Sequence, residues 1–349
     1  MPKIISIGVA NPKRCLTQQE SWEHLQRLRR LAPLEKKYYQ KFMLDSGINQ
    51  RYLALPELED IFCEDQDLII KRYEAEAPQI AARSCLMALE RAGLGKSAIG
   101  FISAATCTGY LCPGLSSHII ERVGLNTSVQ ALDIQGMGCG AALPALAAAA
   151  NFLSGSPEQL SALVNCTEIC SAAIFWDNDL GLILSNSIFG DGSATVVLTN
   201  RADLPGPEII DYAAVVFPEK REDLRFTTDQ GRLRNKLSAA VPAVAARGVE
   251  IVVNELLGKN GLRRDEIGLW ASHSGGRKVL EVIQDKLGLA DKALDFSRET
   301  LRDYGNMSSP SVLFTLEKIM SAARPRPGDH VMLLSFGAGF SCYGMLLRY

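Results

Sequence analysis

Histidine is scarce in this chain, with four residues in 349, and its nine cysteines form no Cys-x-x-C pair. Neither Cys107 with Cys112 nor Cys166 with Cys170 has a histidine cluster beside it, so no structural zinc site is expected. Neither sign of charge is in excess. The net charge of −2 gives no reason to expect nucleic acid or a membrane surface as a partner. Long apolar runs are also missing. The longest, residues 141–153, is alanine-rich and too short to span a bilayer. The chain opens Met1-Pro2-Lys3-Ile4 and turns at once to strand-like residues, so no signal peptide is expected. Nine cysteines without a secretion signal then point to free thiols in a reducing, cytoplasmic setting.

What is present suits a globular protein, 47% hydrophobic and 22% charged. The length favours two closely packed halves over one small core. The run that organises the rest is Gln135-Gly136-Met137-Gly138-Cys139-Gly140-Ala141-Ala142. A plausible strand precedes it at 129–134, and a plausible buried helix follows. Cys139 therefore stands at a strand-to-helix turn, where backbone N–H groups and the helix dipole favour a thiolate. Flanking glycines let a substrate carbonyl approach the backbone. This pattern reads as a nucleophile turn for acyl transfer. A dinucleotide fingerprint built on Gly136, Gly138 and Ala141 is a weaker match, because no acidic residue follows a clear second strand.

A repeat runs through the chain. Gly93-Leu94 and Ile99-Gly100 recur as Gly261-Leu262 and Ile267-Gly268, each 168 residues on. Each copy leads into a strand ending in polar residues, Thr106-Cys107-Thr108 and Ser272-His273-Ser274. The same shift carries Cys139 beside Asn306, which also precedes a helix, expected over 312–322. Sites in alternating strand–helix folds gather at strand C-termini, so Cys139, His273 and Asn306 can meet. The halves are placed at 1–199, with the cysteine, and 208–349, with the histidine and asparagine; residues 200–207 form the linker.

Other segments are expected as follows. Residues 57–74 read as an acidic, loop-rich stretch and 78–91 as an amphipathic helix. Lys36, Lys37, Lys41 and Arg51 form a loose basic cluster, either a solvated face or a patch for coenzyme A phosphates. The loop Ser335-Phe336-Gly337-Ala338-Gly339-Phe340 can present N–H groups to an oxyanion.

At Gly138-Cys139, Phe189-Gly190-Asp191-Gly192, His273-Ser274-Gly275-Gly276 and Tyr304-Gly305-Asn306-Met307-Ser308-Ser309 the chain resembles the thiolase superfamily. It most resembles the chalcone synthase-like type III polyketide synthases. That resemblance implies an α/β, thiolase-like αβαβα layered fold made of two pseudo-repeated halves, and a homodimer. It implies a Cys139–His273–Asn306 triad and a tunnel for a pantetheine arm. Phe189 is implied at the edge of the acyl pocket, with Ser308 beside it and Lys41 and Lys278 toward the tunnel mouth. Cys112 is implied to face the neighbouring subunit's pocket.

The expected reaction is decarboxylative Claisen condensation of malonyl-type thioesters onto an acyl group held on Cys139. Acyl-CoA and malonyl-CoA are the expected substrates, with no metal and no cofactor. Two departures stand out, and the second motivates an alternative. Ser274 stands where the family usually has proline, and the C-terminal loop lacks the usual Gly-Phe-Gly-Pro-Gly. The alternative is a ketosynthase III-like enzyme working on chains bound to acyl carrier protein, with Lys36, Lys37, Arg277 and Lys278 as its basic rim. An inert supporting subunit is the third reading, which the retention of all three triad residues disfavours.

Overall fold

In the computed structural model of the chain, which describes all 349 residues, nine strands form one sheet. Their order is Ile267–Ser272, His330–Gly337, Ser341–Arg348, Glu208–Val216, Lys3–Ala10, Gly192–Thr199, Ser161–Glu168, Ile99–Ala105 and Gln130–Ile134. The first four belong to the C-terminal half and the rest to the N-terminal half. A single residue pair, Lys3 with Glu208, joins the two sets.

Strand residues alternate between cores, as the two-residue period of a strand requires. Ala162, Val164, Val196 and Leu198 face a central core, while Leu163 and Val197 face an outer one. Val331, Leu333, Met345 and Leu347 face the same central core from the other half, and Met332, Leu334 and Leu346 a second outer one. The helices Ala142–Gly155 and Ser311–Lys318 fill the centre. Gln66–Ala92 and Leu115–Val123 cover one outer face, Val241–Asn260 and Arg277–Leu287 the other. The layers run αβαβα.

The repeat is visible residue by residue. Gln66–Ala92 and Val241–Asn260 both end at left-handed glycines, Gly93 at φ 62° and Gly261 at φ 65°. A short turn follows each, Lys96–Ala98 and Arg264–Glu266, and then the strand begins at Ile99 or Ile267.

Two expectations change. The helix expected from residue 78 starts at Gln66, capped by the Asp65 side chain on the N–H groups of Asp67 and Leu68. Pro78 lies inside it, buried. Pro78 has no N–H to offer the carbonyl of exposed Glu74, and burial of Ile69, Tyr73 and Ile80 offsets that loss. The helix expected over 312–322 ends as α-helix at Lys318 and closes with a π-turn, Ile319–Ala323. The strand before Cys139, Gln130–Ile134, is an exposed sheet edge. By length and composition one helical stretch, Gly138–Gly155, is apolar enough to cross a membrane, but Leu143 and Leu146 in it are fully buried in the central core.

Candidate active site

Cys139 sits in a tight turn, Gly138–Gly140, that feeds directly into the central helix. Gly138 adopts φ 56°, and a side chain there would meet the Ala338 nitrogen at 3.2 Å. From the other side, a Cβ on Gly337 would fall 2.4 Å from the Gly140 nitrogen and 2.5 Å from the Met137 oxygen. The Ser335 hydroxyl donates to the Gly140 carbonyl at 3.0 Å. The C-terminal hairpin and the cysteine turn thus interlock backbone to backbone, which fixes the sulfur's position.

His273 follows its strand, and its N–H donates to the Leu334 carbonyl at 2.8 Å. Its ring stands edge-on to Phe336 at 4.9 Å, with Nδ1 buried and unpartnered. Asn306 is held at both ends of its amide. Nδ2 donates to the Gly275 carbonyl at 3.2 Å, and Oδ1 accepts the Ser308 N–H at 2.9 Å. Two backbone bonds, Gly190 N–H to Asn306 and Asn306 N–H to Ile188, both 2.9 Å, splice the Phe189-Gly190-Asp191-Gly192 run to the Asn306 run. Those two motifs are therefore one structural unit.

Cys139, His273 and Asn306 line one cavity of about 860 Å³, with Phe189, Lys41, Arg277 and Lys278 in its wall. A narrower inner chamber, with about 40 Å³ free, is lined by Cys107, Cys139, Cys170, Phe189 and Ser308. Cys139 and Phe189 border both spaces. Cys112 is exposed and lines neither space within the single chain. One assignment is corrected. Arg51 belongs to no surface patch: it is 2% exposed and donates to Gln18 Oε1 and to the Asn186 and Phe189 carbonyls. Burying its long stem is worthwhile only because each guanidinium contact finds an acceptor. Lys36 and Lys37 are exposed and line neither space.

Burial pushes the Cys139 thiol up to about 12; the Ser308 hydroxyl opposes the rise and the Glu168 carboxyl adds to it. Burial likewise pushes the His273 imidazole down to about 3. Each group by itself is neutral near pH 7. No hydrogen bond joins the two side chains; burial works against both a thiolate and an imidazolium, while the helix N-terminus works for the thiolate.

Sequence reasoning missed Glu168. It ends its strand fully buried, its carboxyl pushed up by that burial. It accepts from the Cys107 and Thr108 N–H groups at 2.9 and 3.1 Å, and from the Thr108 and Ser309 hydroxyls, both at 2.8 Å. It thereby ties the polar strand end of the first half to the Ser308-Ser309 pair of the second. The signal was an acid at the end of the strand-like run that opens Ala162-Leu163-Val164, where a buried carboxylate needs several donors.

A two-fold repeated αβαβα fold, with a cysteine at a helix start facing a histidine and an asparagine across one cavity, defines a thiolase-like acyl-transfer protein. The sequence profile described as FAE1/Type III polyketide synthase-like protein matches residues 9–216, and that of the chalcone and stilbene synthase C-terminal domain matches 210–349. The chain belongs to the type III polyketide synthase family, acyltransferases that join acyl units by Claisen condensation. It is 32% identical to a 3,5-dihydroxyphenylacetyl-CoA synthase of Streptomyces toyocaensis, covering 100% of this chain and 90% of that one. It is 30% identical to a 1,3,6,8-tetrahydroxynaphthalene synthase of Streptomyces peucetius subsp. caesius, covering 87% and 81%. Among solved structures it is similar to PKS-I of the brown alga Ectocarpus siliculosus, with TM-score 0.91, 27% identity and coverage of 99% and 98%. The tetrahydroxynaphthalene synthase of Streptomyces coelicolor also gives TM-score 0.91, at 25% identity and 99% coverage of each chain. The carrier-protein-dependent alternative has no support among these relatives.

Proposed function

We propose that this synthase holds its growing chain on Cys139 and extends it with malonyl units delivered as coenzyme A thioesters. The observation that carries this reading is the convergence of Cys139, His273 and Asn306 on one cavity rimmed by Lys41, Arg277 and Lys278. The Cys139 sulfur attacks the thioester carbonyl while its proton passes to the His273 imidazole. Collapse expels coenzyme A thiolate, which takes that proton back. A malonyl thioester then places its carbonyl oxygen against His273 and Asn306. Its carboxylate leaves as carbon dioxide, and the electron pair of the broken bond forms an enolate.

The enolate oxygen needs donors that carry no negative charge. A neutral imidazole and an amide supply them, each worth a few kcal/mol in a dry site. The enolate carbon attacks the Cys139 thioester, the cysteine leaves as thiolate, and the chain returns to coenzyme A two carbons longer. The electrons for the new bond come from decarboxylation, so the chemistry calls for no redox cofactor and no metal. The cationic rim suits the phosphates of coenzyme A.

The homodimer belongs to the same reading. The loop carrying Cys112 packs on the exposed edge strand, where a Cβ on Gly114 would meet Asp133 at 2.3 Å. Tyr110 beside it is 71% exposed and Leu132 on the strand 40%. These features support burial of that face against a second copy, with Cys112 directed at the partner's pocket. Nine free cysteines suit a cytoplasmic location. Carbon dioxide release from malonyl-CoA, compared with malonyl acyl carrier protein, tests the carrier. Release from malonyl-CoA alone is the expected result; a strict requirement for the carrier protein overturns it.

A further inference from the structure

Behind the inner chamber lies a third space that the proposed reaction does not use. It has about 40 Å³ free and is walled mainly by apolar side chains, among them Leu25, Leu28, Met43, Ile61 and Trp176. By the measure of roughly 10–15 Å³ per water, each space holds only about three waters. One residue, Asn186, lines both. We propose that Asn186 is the septum that sets the length of acyl group the enzyme accepts. This inference rests on Cys139 being the acyl carrier, since only then does the inner chamber receive the acyl tail.

The septum is rigid. Asn186 Nδ2 donates to the Tyr39 hydroxyl at 3.2 Å and to the Phe175 carbonyl at 3.0 Å. Its own carbonyl accepts from the buried Arg51 guanidinium at 2.9 Å. Both amide hydrogens and the backbone are thus anchored to buried partners, and Tyr39 is fully enclosed. A side chain held at two points on an anchored backbone is a wall, not a swinging gate. The wall is also thin: Ile174 faces the inner chamber and Trp176, two residues on, faces the outer space. An acyl chain growing from Cys139 past Phe189 meets a polar amide at the far end. Methylenes that reach it must stop or fold back, because displacing the amide would leave buried hydrogen-bonding groups unpaired. Beyond it, an apolar space of matching size stands ready.

The test removes the septum and then refills the space behind it. Asn186→Ala, and Asn186→Ser in case the alanine variant does not fold, are compared with wild type over saturated acyl-CoA starters from acetyl to dodecanoyl. Intact mass reads the adduct on Cys139, and product mass spectrometry reads extension. The expected result is a rise of at least tenfold in the kcat/KM ratio of decanoyl-CoA to butyryl-CoA. Adding Leu28→Trp to the septum variant should return that ratio toward wild type, which a generally loosened fold would not do. An unchanged ratio in a folded variant that still takes butyryl on Cys139 overturns the septum while leaving the acyl carrier intact. Absence of any Cys139 adduct in wild type overturns the carrier reading and the septum with it.

Discussion

Asn306 is held by bonds that show which of its atoms matter. Nδ2 points toward the Gly275 carbonyl and Oδ1 takes the Ser308 N–H, so the side chain is oriented with its amino group toward the cavity side. Asn306→Asp keeps the shape and the Ser308 bond but sets a carboxylate where an enolate must form. Acylation of Cys139 should survive, because it requires the cysteine turn and His273. Carbon dioxide release from malonyl-CoA should fall about a hundredfold or more, equal to about 2.7 kcal/mol of transition-state stabilisation. Intact mass and carbon dioxide release on the one variant check both halves; collapse of acylation with decarboxylation intact would assign Asn306 to the nucleophile instead. His273 gives a pH prediction. Burial is the main cause that pushes the Cys139 thiol up to about 12, so a thiol without a neighbouring base gains thiolate only as pH climbs toward that value. In His273→Ala, iodoacetamide alkylation of Cys139 should therefore rise about tenfold per pH unit from 7 to 9, with no plateau. Wild type, whose imidazole accepts the proton during attack, should give a flatter profile. Superimposable profiles would remove His273 from that role.

Two elements from opposite ends of the repeat make the nucleophile usable. The turn Gly138–Gly140 and the hairpin at Gly337 touch through backbone atoms, with no room for a side chain between them. Gly337→Ala introduces a methyl 2.4 Å from the Gly140 nitrogen, and rigid backbone lines both sides. Overpacking of that kind costs about 1–3 kcal/mol. The expected outcome is a lower melting temperature together with at least tenfold slower acylation of Cys139; a drop in stability with acylation unchanged would show that the contact only supports the fold. The sequence made both glycine runs conspicuous and suggested an oxyanion role for the second. It did not show that the two runs are each other's packing partners, because that contact joins residues nearly 200 positions apart. Phe189 and Asn306 carry the same lesson. Each motif was readable by itself, while the hydrogen bonds that splice them are a product of the folded chain.

The molecule as a whole is a sheet of two halves whose exposed edge strand, Gln130–Ile134, leads straight into the cysteine turn. An unpaired edge with an exposed Leu132 invites a second copy. Leu132→Asp with Tyr110→Ala should convert a dimer into a monomer in sedimentation velocity, and slow condensation with it. A monomeric wild type would remove the dimer from the proposed function. The sequence by itself determined the architecture and the reactive groups. Strand alternation is local, the 168-residue repeat is arithmetic, and cysteine, histidine and asparagine carry their chemistry in their side chains. It misplaced Arg51 on the surface and the start of the helix at Pro78, because burial and the use of an unpaired carbonyl are set by neighbours distant in sequence. Only the tertiary structure showed the burial that pushes the Cys139 thiol up and the His273 imidazole down, since desolvation depends on what closes over them. It also brought Glu168 to Ser309 and stood Asn186 between two cavities. Space, unlike chemistry, is written in no single residue.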